Sequence, residues 1–308
     1  MSFDLAHAEI AFSNLGGHGP DTDKPPGIRY VNVAKVQTPD GRTLYQDLYV
    51  EAVDSYTPFE PQRNGLSGRF AQINFLANSC SRLRVSVRPS CAQADSCARC
   101  DDTALHPTAA ARKVCYSAGC SCYAQTVYAE SDCSGFIKDL RRQLYECDGM
   151  DASMKFPAGS RISFSVYDLN TGPSGEYVEE LTISGYEYYV TPLRPASGNE
   201  ITSTIAVDRG AGTFTSSARG TSADRPTDPA SLTDYQASTA VQFFFASRDG
   251  SLEAKFCVRY TSGGGGSVSG TDILFAGSSA RCASAAAVPS SKRDAFAISI
   301  PVKSITIC

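Results

Sequence analysis

The stretch SLEAKFCVRY, residues 251–260, decides the architecture. Leu252, Ala254, Phe256, Val258 and Tyr260 alternate with Glu253, Lys255, Cys257 and Arg259. A period of two puts the first set on one side of an extended chain and the second on the other. The segment therefore reads as a strand with one buried and one wet face. The pattern recurs where Leu83, Val85 and Val87 alternate with Arg82, Arg84, Ser86 and Arg88. It recurs again where Ile162, Phe164 and Val166 alternate with Arg161, Ser163 and Ser165. Looser runs lie at residues 28–36, 47–53, 70–76, 181–189, 201–207, 241–245 and 298–307. Turn signals punctuate them: Pro39-Asp40-Gly41, Asn64-Gly65, Asn170 to Pro173, Ser197-Gly198-Asn199, Asp249-Gly250 and the glycines from Gly263 to Gly266. Many short strands between regular turns predict an all-β fold, a jelly-roll-like antiparallel β-sandwich.

Helix is scarce. Residues 134–147 place Phe136, Ile137, Leu140 and Leu144 on one face and predict one short helix. A further helical turn is expected from Ser231, with Asp234 three residues on.

The chain has 308 residues, enough to bury a core of its own without help from disulfides. Its 28 basic residues against 32 acidic ones give a net charge of −4, which argues against nucleic acid as a partner. No apolar run approaches the roughly 18–20 residues of a membrane span. The segment from Met1 to Gly17 lacks a basic start followed by a continuous apolar stretch, so it is not read as a signal peptide. The expectation is a leader already removed or a piece of a longer chain.

Twelve cysteines point to an oxidising compartment, extracellular or at the cell surface. Cys91, Cys97, Cys100, Cys115, Cys120, Cys122, Cys133 and Cys147 crowd one stretch. Cys80, Cys257, Cys282 and Cys308 lie outside it and are expected to brace the sandwich or its tail. All twelve are expected in disulfides, with connectivity left open. Zinc is the rival reading, but Cys120 and Cys122 are separated by one residue where structural sites use two to four. The organisation predicted is an N-terminal extension (1–27), a sandwich (28–90 and 148–282), a cysteine-rich insertion (91–147) and a C-terminal linker or edge strand (283–308).

Four blocks carry a resemblance. They are residues 64–74 (NGLSGRFAQIN), 164–180 (FSVYDLNTGPSGEYVEE), 224–236 (DRPTDPASLTDYQ) and 274–282 (LFAGSSARC). Together they resemble a family of secreted modules, often repeated, in surface proteins of marine microalgae and some bacteria. The match spans roughly residues 28–282, and Gly119-Cys-Ser-Cys-Tyr123 is similar to the algal branch. The resemblance implies location and architecture; the family has no established activity to transfer. The chain departs from it at Ser278, where an acid is expected, which weakens a metal role for the fourth block.

The acidic segment after the 162–166 strand is the candidate chemical site. Asp168, Asn170, Glu179 and Glu180 offer hard oxygens beside a glycine-bent loop, the donor type that calcium takes. Calcium is thus the candidate cofactor, with Asp47 or Asp54 as candidate further ligands. The competing reading is an Asx turn with solvated glutamates. Tyr177, Tyr186 and Tyr188 are the candidate ligand-binding aromatics, with Tyr186 and Tyr188 on one strand face, and ordinary sheet packing is their alternative. Arg82, Arg84 and Arg88, with Arg69, form either a basic patch for an acidic glycan or a solvated face.

No hydrolytic triad is expected: His7, His18 and His106 sit in irregular segments and no G-x-S-x-G elbow occurs. The expectation is a non-enzymatic extracellular binding or adhesion module, carbohydrate-binding and steadied by calcium. Its partner is a glycan or a neighbouring extracellular protein, including neighbouring modules of the same assembly. The alternative is a structural building block of an extracellular assembly. A polysaccharide hydrolase using Asp168 with Glu180 is weaker still.

Overall fold

The computed structural model describes residues 5–37, 43–89, 160–221, 224–246, 250–261 and 269–281. The expected cysteine-rich insertion, its helix and the tail after Arg281 lie outside the described residues. So do all the cysteines except Cys80 and Cys257.

The described chain forms fourteen strands in two sheets. They are β1 (Glu9–Ser13), β2 (Ile28–Gln37), β3 (Thr43–Ala52), β4 (Gly65–Ser67), β5 (Phe70–Leu76), β6 (Ser79–Pro89) and β7 (Ser160–Tyr167). The rest are β8 (Tyr177–Ile183), β9 (Tyr188–Val190), β10 (Ile205–Asp208), β11 (Thr213–Ser216), β12 (Val241–Phe245), β13 (Ser251–Tyr260) and β14 (Gly270–Arg281). One sheet has the order β1-β2-β3-β6-β13-β8-β11-β10, the other β4-β5-β14-β7-β12-β9. Every pairing of named strands is antiparallel.

From β5 onward the chain crosses repeatedly between the sheets. Its central orders, β5-β14-β7-β12 and β6-β13-β8-β11, are those of a jelly roll. The alternation in residues 251–260 explains the placement of β13. Ala254, Phe256 and Val258 are buried inward, while Glu253, Lys255 and Arg259 face out. Phe256 meets Phe75 of the opposite sheet at 6.0 Å, and Phe214 meets Phe243 edge-on at 4.8 Å. Such contacts close the core between the layers.

A second, smaller cluster lies on the outer face of the six-stranded sheet. Phe70, Tyr167 and Leu274 are covered there by Leu232, Ala237 and Ala240. The short helix α1 (Asp234–Ser238) belongs to that cover. Its N-cap is Thr233 rather than Ser231. The Thr233 hydroxyl accepts from the Gln236 amide, and the Gln236 side chain accepts from the Thr233 amide. Gln at the third helical position completes a capping box, which an acid three residues after Ser231 does not. Asp234 instead accepts from Ser197 and Asn199.

Several elements differ from the sequence expectation. The N-terminal extension contributes β1 to a sheet edge and buries Leu5, Phe12 and Leu15. Its register against β2 shifts between Ile10 and Phe12, so its burial does not alternate and no period of two marks it. Asn64-Gly65 does not turn a hairpin; Gly65 opens β4 at φ 149°. The 181–189 run breaks at Gly185, φ 77°, into the end of β8 and the start of β9. β14 was not expected as a strand, because Gly277, Ser278 and Ser279 mask the inward alternation of Ile273 and Phe275.

Cys80 and Cys257 face each other in the β6–β13 ladder, Cα atoms 4.1 Å apart, and are joined by a disulfide across 177 residues. Closing so long a loop removes freedom mainly from the unfolded chain. The double replacement Cys80→Ala with Cys257→Ala is expected to keep the sheet order but lower unfolding free energy by about 2–5 kcal/mol. Urea titration followed by circular dichroism reads this directly, and an unchanged midpoint would remove the disulfide from the list of stabilising elements.

Candidate functional site

The turn after β7 is held from several sides. Asp168 adopts φ 61°, a left-handed conformation that aspartate tolerates better than most residues. Leu169 N–H donates to the Thr239 carbonyl and Thr171 N–H to that of Ala218, while Gly220 N–H returns a bond to Thr171. Gly220 lies so close to the Asn170 amide that a Cβ there would sit 2.2 Å from it, so any larger residue would displace that amide. The Glu176 carboxylate accepts from Ser174 N–H and lies against Gly172, which tightens the loop before β8.

β8 presents Tyr177, Glu179, Leu181 and Ile183 to the interior. Glu179 is 0% exposed. One carboxylate oxygen accepts from Thr271 Oγ1 at 2.6 Å and the other from Asn170 N at 3.1 Å. Burial raises its pKa well above the usual carboxylate range, and the nearby Asp168 adds to the rise. The Asp168 carboxyl accepts from Asn170 Nδ2 at 2.8 Å. Burial pushes it up to about 6, against the pull of the Arg225 guanidinium. The Tyr177 hydroxyl, beside Thr271 and Glu179, is pushed up to about 12, chiefly by burial.

Asp168, Asn170 and Glu179 are thus brought together, as expected, but Glu180 is not. Successive residues of a strand point to opposite faces, so Glu180 projects outward and pairs with Arg259 at 3.3 Å. The hydrolase pairing of Asp168 with Glu180 fails for the same reason. Asp47 pairs with Arg29 at 2.8 Å, and Asp54 accepts from Ser81 and from Arg82 N–H. Among the described residues, no three carboxylate, imidazole or thiolate groups are set to hold a metal ion.

A second polar centre adjoins the first through Arg225. Asp272, 2% exposed, accepts from Arg225 at 2.6 Å, from Asn74 Nδ2 at 2.7 Å and from Arg63. Arg225 also donates to Gln72 at 2.5 Å. Asn74 accepts from the Phe59 and Glu60 amides, and Asn64 accepts from Asn74 N–H and Tyr56. Three of the sequence blocks, plus Thr271 and Asp272 at the threshold of the fourth, therefore meet in one polar network. Sequence reasoning missed Arg225, Asp272, Asn74 and Thr271. The signal available was the clustering of polar residues within hydrophobic blocks.

The tyrosines separate. Tyr177 is buried under the acidic loop. Tyr186 packs with Tyr189, Phe214 and Phe243 at the end of the core. It does not share a face with Tyr188, because the chain bends at Glu187 before β9 begins. Tyr188 faces the other way and stacks on Phe244 of β12, rings 4.4 Å apart and 14° from parallel. Gln242, bonded to Ser163, and the Arg161–Glu187 ion pair stand on the neighbouring strand positions.

Most of the arginine face is neutralised by partners, Arg82 being exposed. Arg84 binds Glu51 and Glu253, Arg69 binds Asp228, and Arg88 lies 3.8 Å over the Tyr49 ring. No helix among the described residues is long and apolar enough to cross a membrane. No family model, no curated protein and no solved structure matches the chain.

Asp168 and Glu179 both bind their protons more tightly in the folded chain than in the unfolded one. Stability present at low pH is therefore lost as pH rises, for Asp168 between 3.8 and about 6 and for Glu179 over a window extending higher. Glu179→Gln keeps the shape and removes the charge. It is expected to raise the melting midpoint at pH 8 by several degrees, roughly 3–8 °C, with little change at pH 4. Melting curves across this range check it; equal gains at both pH values would sink the assignment.

Proposed function

We propose that this chain is a non-enzymatic binding module of an extracellular or cell-surface protein and that its ligand is a glycan. The stacked Tyr188–Phe244 pair on the outer face of the six-stranded sheet carries the reading. Aromatic rings offer apolar faces to the C–H faces of sugars. Gln242 and the Arg161–Glu187 pair supply donors and acceptors beside them for hydroxyl groups. Of the three tyrosines expected to bind ligand, Tyr188 alone is offered here, because Tyr177 and Tyr186 pack inward.

The extracellular part of the proposal is supported by the Cys80–Cys257 disulfide, a bond rare in reducing compartments, and by the resemblance to secreted microalgal modules. The test is a glycan array probed with the full chain and with Tyr188→Ala. Retention of one glycan class by the native chain and at least about tenfold weaker binding by the variant is expected. Binding of no glycan would remove the reading.

Calcium enters the proposal as a stabiliser on Asp168 and Asn170. Because Asp168 is ionised only above about pH 6, calcium is expected to raise the melting midpoint at pH 7.5 and not at pH 5. An ion bound only to the native state must raise stability. Identical midpoints with calcium and with chelator at pH 7.5 would remove the ion from the proposal.

A further inference from the structure

The Cys80–Cys257 disulfide lies on the outward side of the larger sheet, and its two sulfurs have unequal surroundings. Cys257 is 1% exposed and sits between β6 and β8, with Glu180 opposite it on the β8 side. Cys80 is half-buried. β3 pairs with β6 only as far as Ala52, opposite Leu83. Among the described residues, no strand therefore lies beside Cys80 on the side away from β13. A thiolate that opens a disulfide comes in along the S–S axis, from behind the sulfur it attacks. β8 closes that line behind Cys257, whereas no strand closes it behind Cys80.

The charges around the bridge add a direction. Lys255 and Arg259 flank Cys257 on the outward set of β13, and Arg82 flanks Cys80 on that of β6. Arg82 and Lys255, both exposed, stand directly opposite one another. Like charges so placed weaken a sheet. Among the described residues no carboxylate pairs with either side chain. The acids nearby are engaged elsewhere. Glu180 pairs with Arg259, and Asp54 accepts from the Ser81 hydroxyl and the Arg82 amide. Three cations against two carboxylates leave the approach positive, which draws an anionic thiol and repels a cationic one.

Arg259 also donates from Nη2 to Sγ of Cys257 at 3.6 Å. A guanidinium so placed stabilises a thiolate, and a stabilised thiolate leaves faster. The sulfur shielded from attack is thus the one equipped to depart, and the accessible sulfur is the one left to be attacked.

We propose that the Cys80–Cys257 disulfide is an exchange site for small anionic thiols, with Cys80 taking the incoming sulfur and Cys257 departing beside Arg259. The thiol ionises and its thiolate forms a new S–S bond to Cys80. The Cys80–Cys257 bond breaks, and its electron pair goes to Sγ of Cys257. One disulfide replaces another, so this step involves no net oxidation or reduction. A second thiolate attacking the sulfur of the bound thiol frees Cys80 and leaves as the oxidised thiol, which completes reduction of the bridge. The covalent tie between β6 and β13 is then gone, while their backbone pairs from Ser251 to Val258 remain.

The test treats the folded full chain with glutathione, traps free thiols with N-ethylmaleimide and maps the peptides by mass spectrometry. Glutathione is expected on Cys80 and maleimide on Cys257, with at least about a tenfold excess over the reverse arrangement. Cysteamine, a cationic thiol, should react roughly three- to tenfold more slowly than glutathione once each rate is scaled to that with a free model disulfide. Arg82→Gln with Lys255→Gln should remove that preference. Arg259→Gln should slow both thiols by about three- to tenfold, and Arg259→Lys should restore most of the rate. Circular dichroism checks that each variant keeps its sheets. If one does not, the position of the adduct and the comparison of the two thiols on the native chain decide alone. Glutathione chiefly on Cys257, or exchange only in urea that unfolds the sheets, would overturn the proposal. So would equal scaled rates for the two thiols, or a folded Arg259→Gln chain that reacts as fast as the native one.

Discussion

The register between β6 and β13 is the constraint on which the rest depends. Eight consecutive residue pairs, from Ser251↔Ser86 to Val258↔Ser79, lock two central strands of the larger sheet, and Cys80–Cys257 fixes one of those pairs covalently. A slip of one residue would turn Leu83, Val85, Phe256 and Val258 out of the core. β3 and β8 take their places from these two strands. The inward positions of Leu48 and Val50 on one side, and of Leu181 and Ile183 on the other, follow from that.

The position of Glu179 is a consequence of the same register. It stands opposite Val258 in the β8–β13 ladder, on the inward set with Tyr177 and Leu181. A carboxyl held there cannot keep its charge cheaply. It is accommodated by Thr271 from the facing sheet and by the Asn170 amide. The loop from Asp168 to Glu176 is consequently tied to the core rather than hung on its surface. Asp272 plays the complementary part on the outer face of the other sheet. Two arginines and Asn74 surround its carboxylate, so its buried oxygens are hydrogen-bonded.

Much of this was legible beforehand where one side of a strand is wet. The alternation in residues 82–88, 162–166 and 251–260 located β6, β7 and β13, and its apolar set lies in the core, although Ser86, Ser163, Ser165 and Cys257 on the other parity are covered as well. The pattern failed where apolar residues fall on both faces or where a glycine takes an inward position. β14 is buried on both faces over Asp272 to Phe275 and then carries Gly277, so no alternation marks it as a strand. The acidic loop was legible as a polar cluster, yet the split between Glu179 and Glu180 was not. That split depends on which parity of β8 faces the core, and extending the Leu181–Ile183 alternation back to Tyr177 is the signal that resolves it. The tyrosines were ambiguous because a bend between Tyr186 and Tyr188 resets the parity.

The sequence by itself determined the class of fold, since a period of two in an apolar pattern admits no other regular structure. It also determined that most arginines on the 82–88 strand face away from the core, for the same reason. What only the tertiary structure decided is which distant groups meet. Arg225 reaches Asp272 and Gln72, and Glu179 reaches Thr271, across separations that no local spacing encodes. The pKa of Asp168 and the stacking of Tyr188 on Phe244 arise in the same way. Each depends on the order in which the strands lie side by side, and that order is set by the packing of two sheets rather than by any one strand.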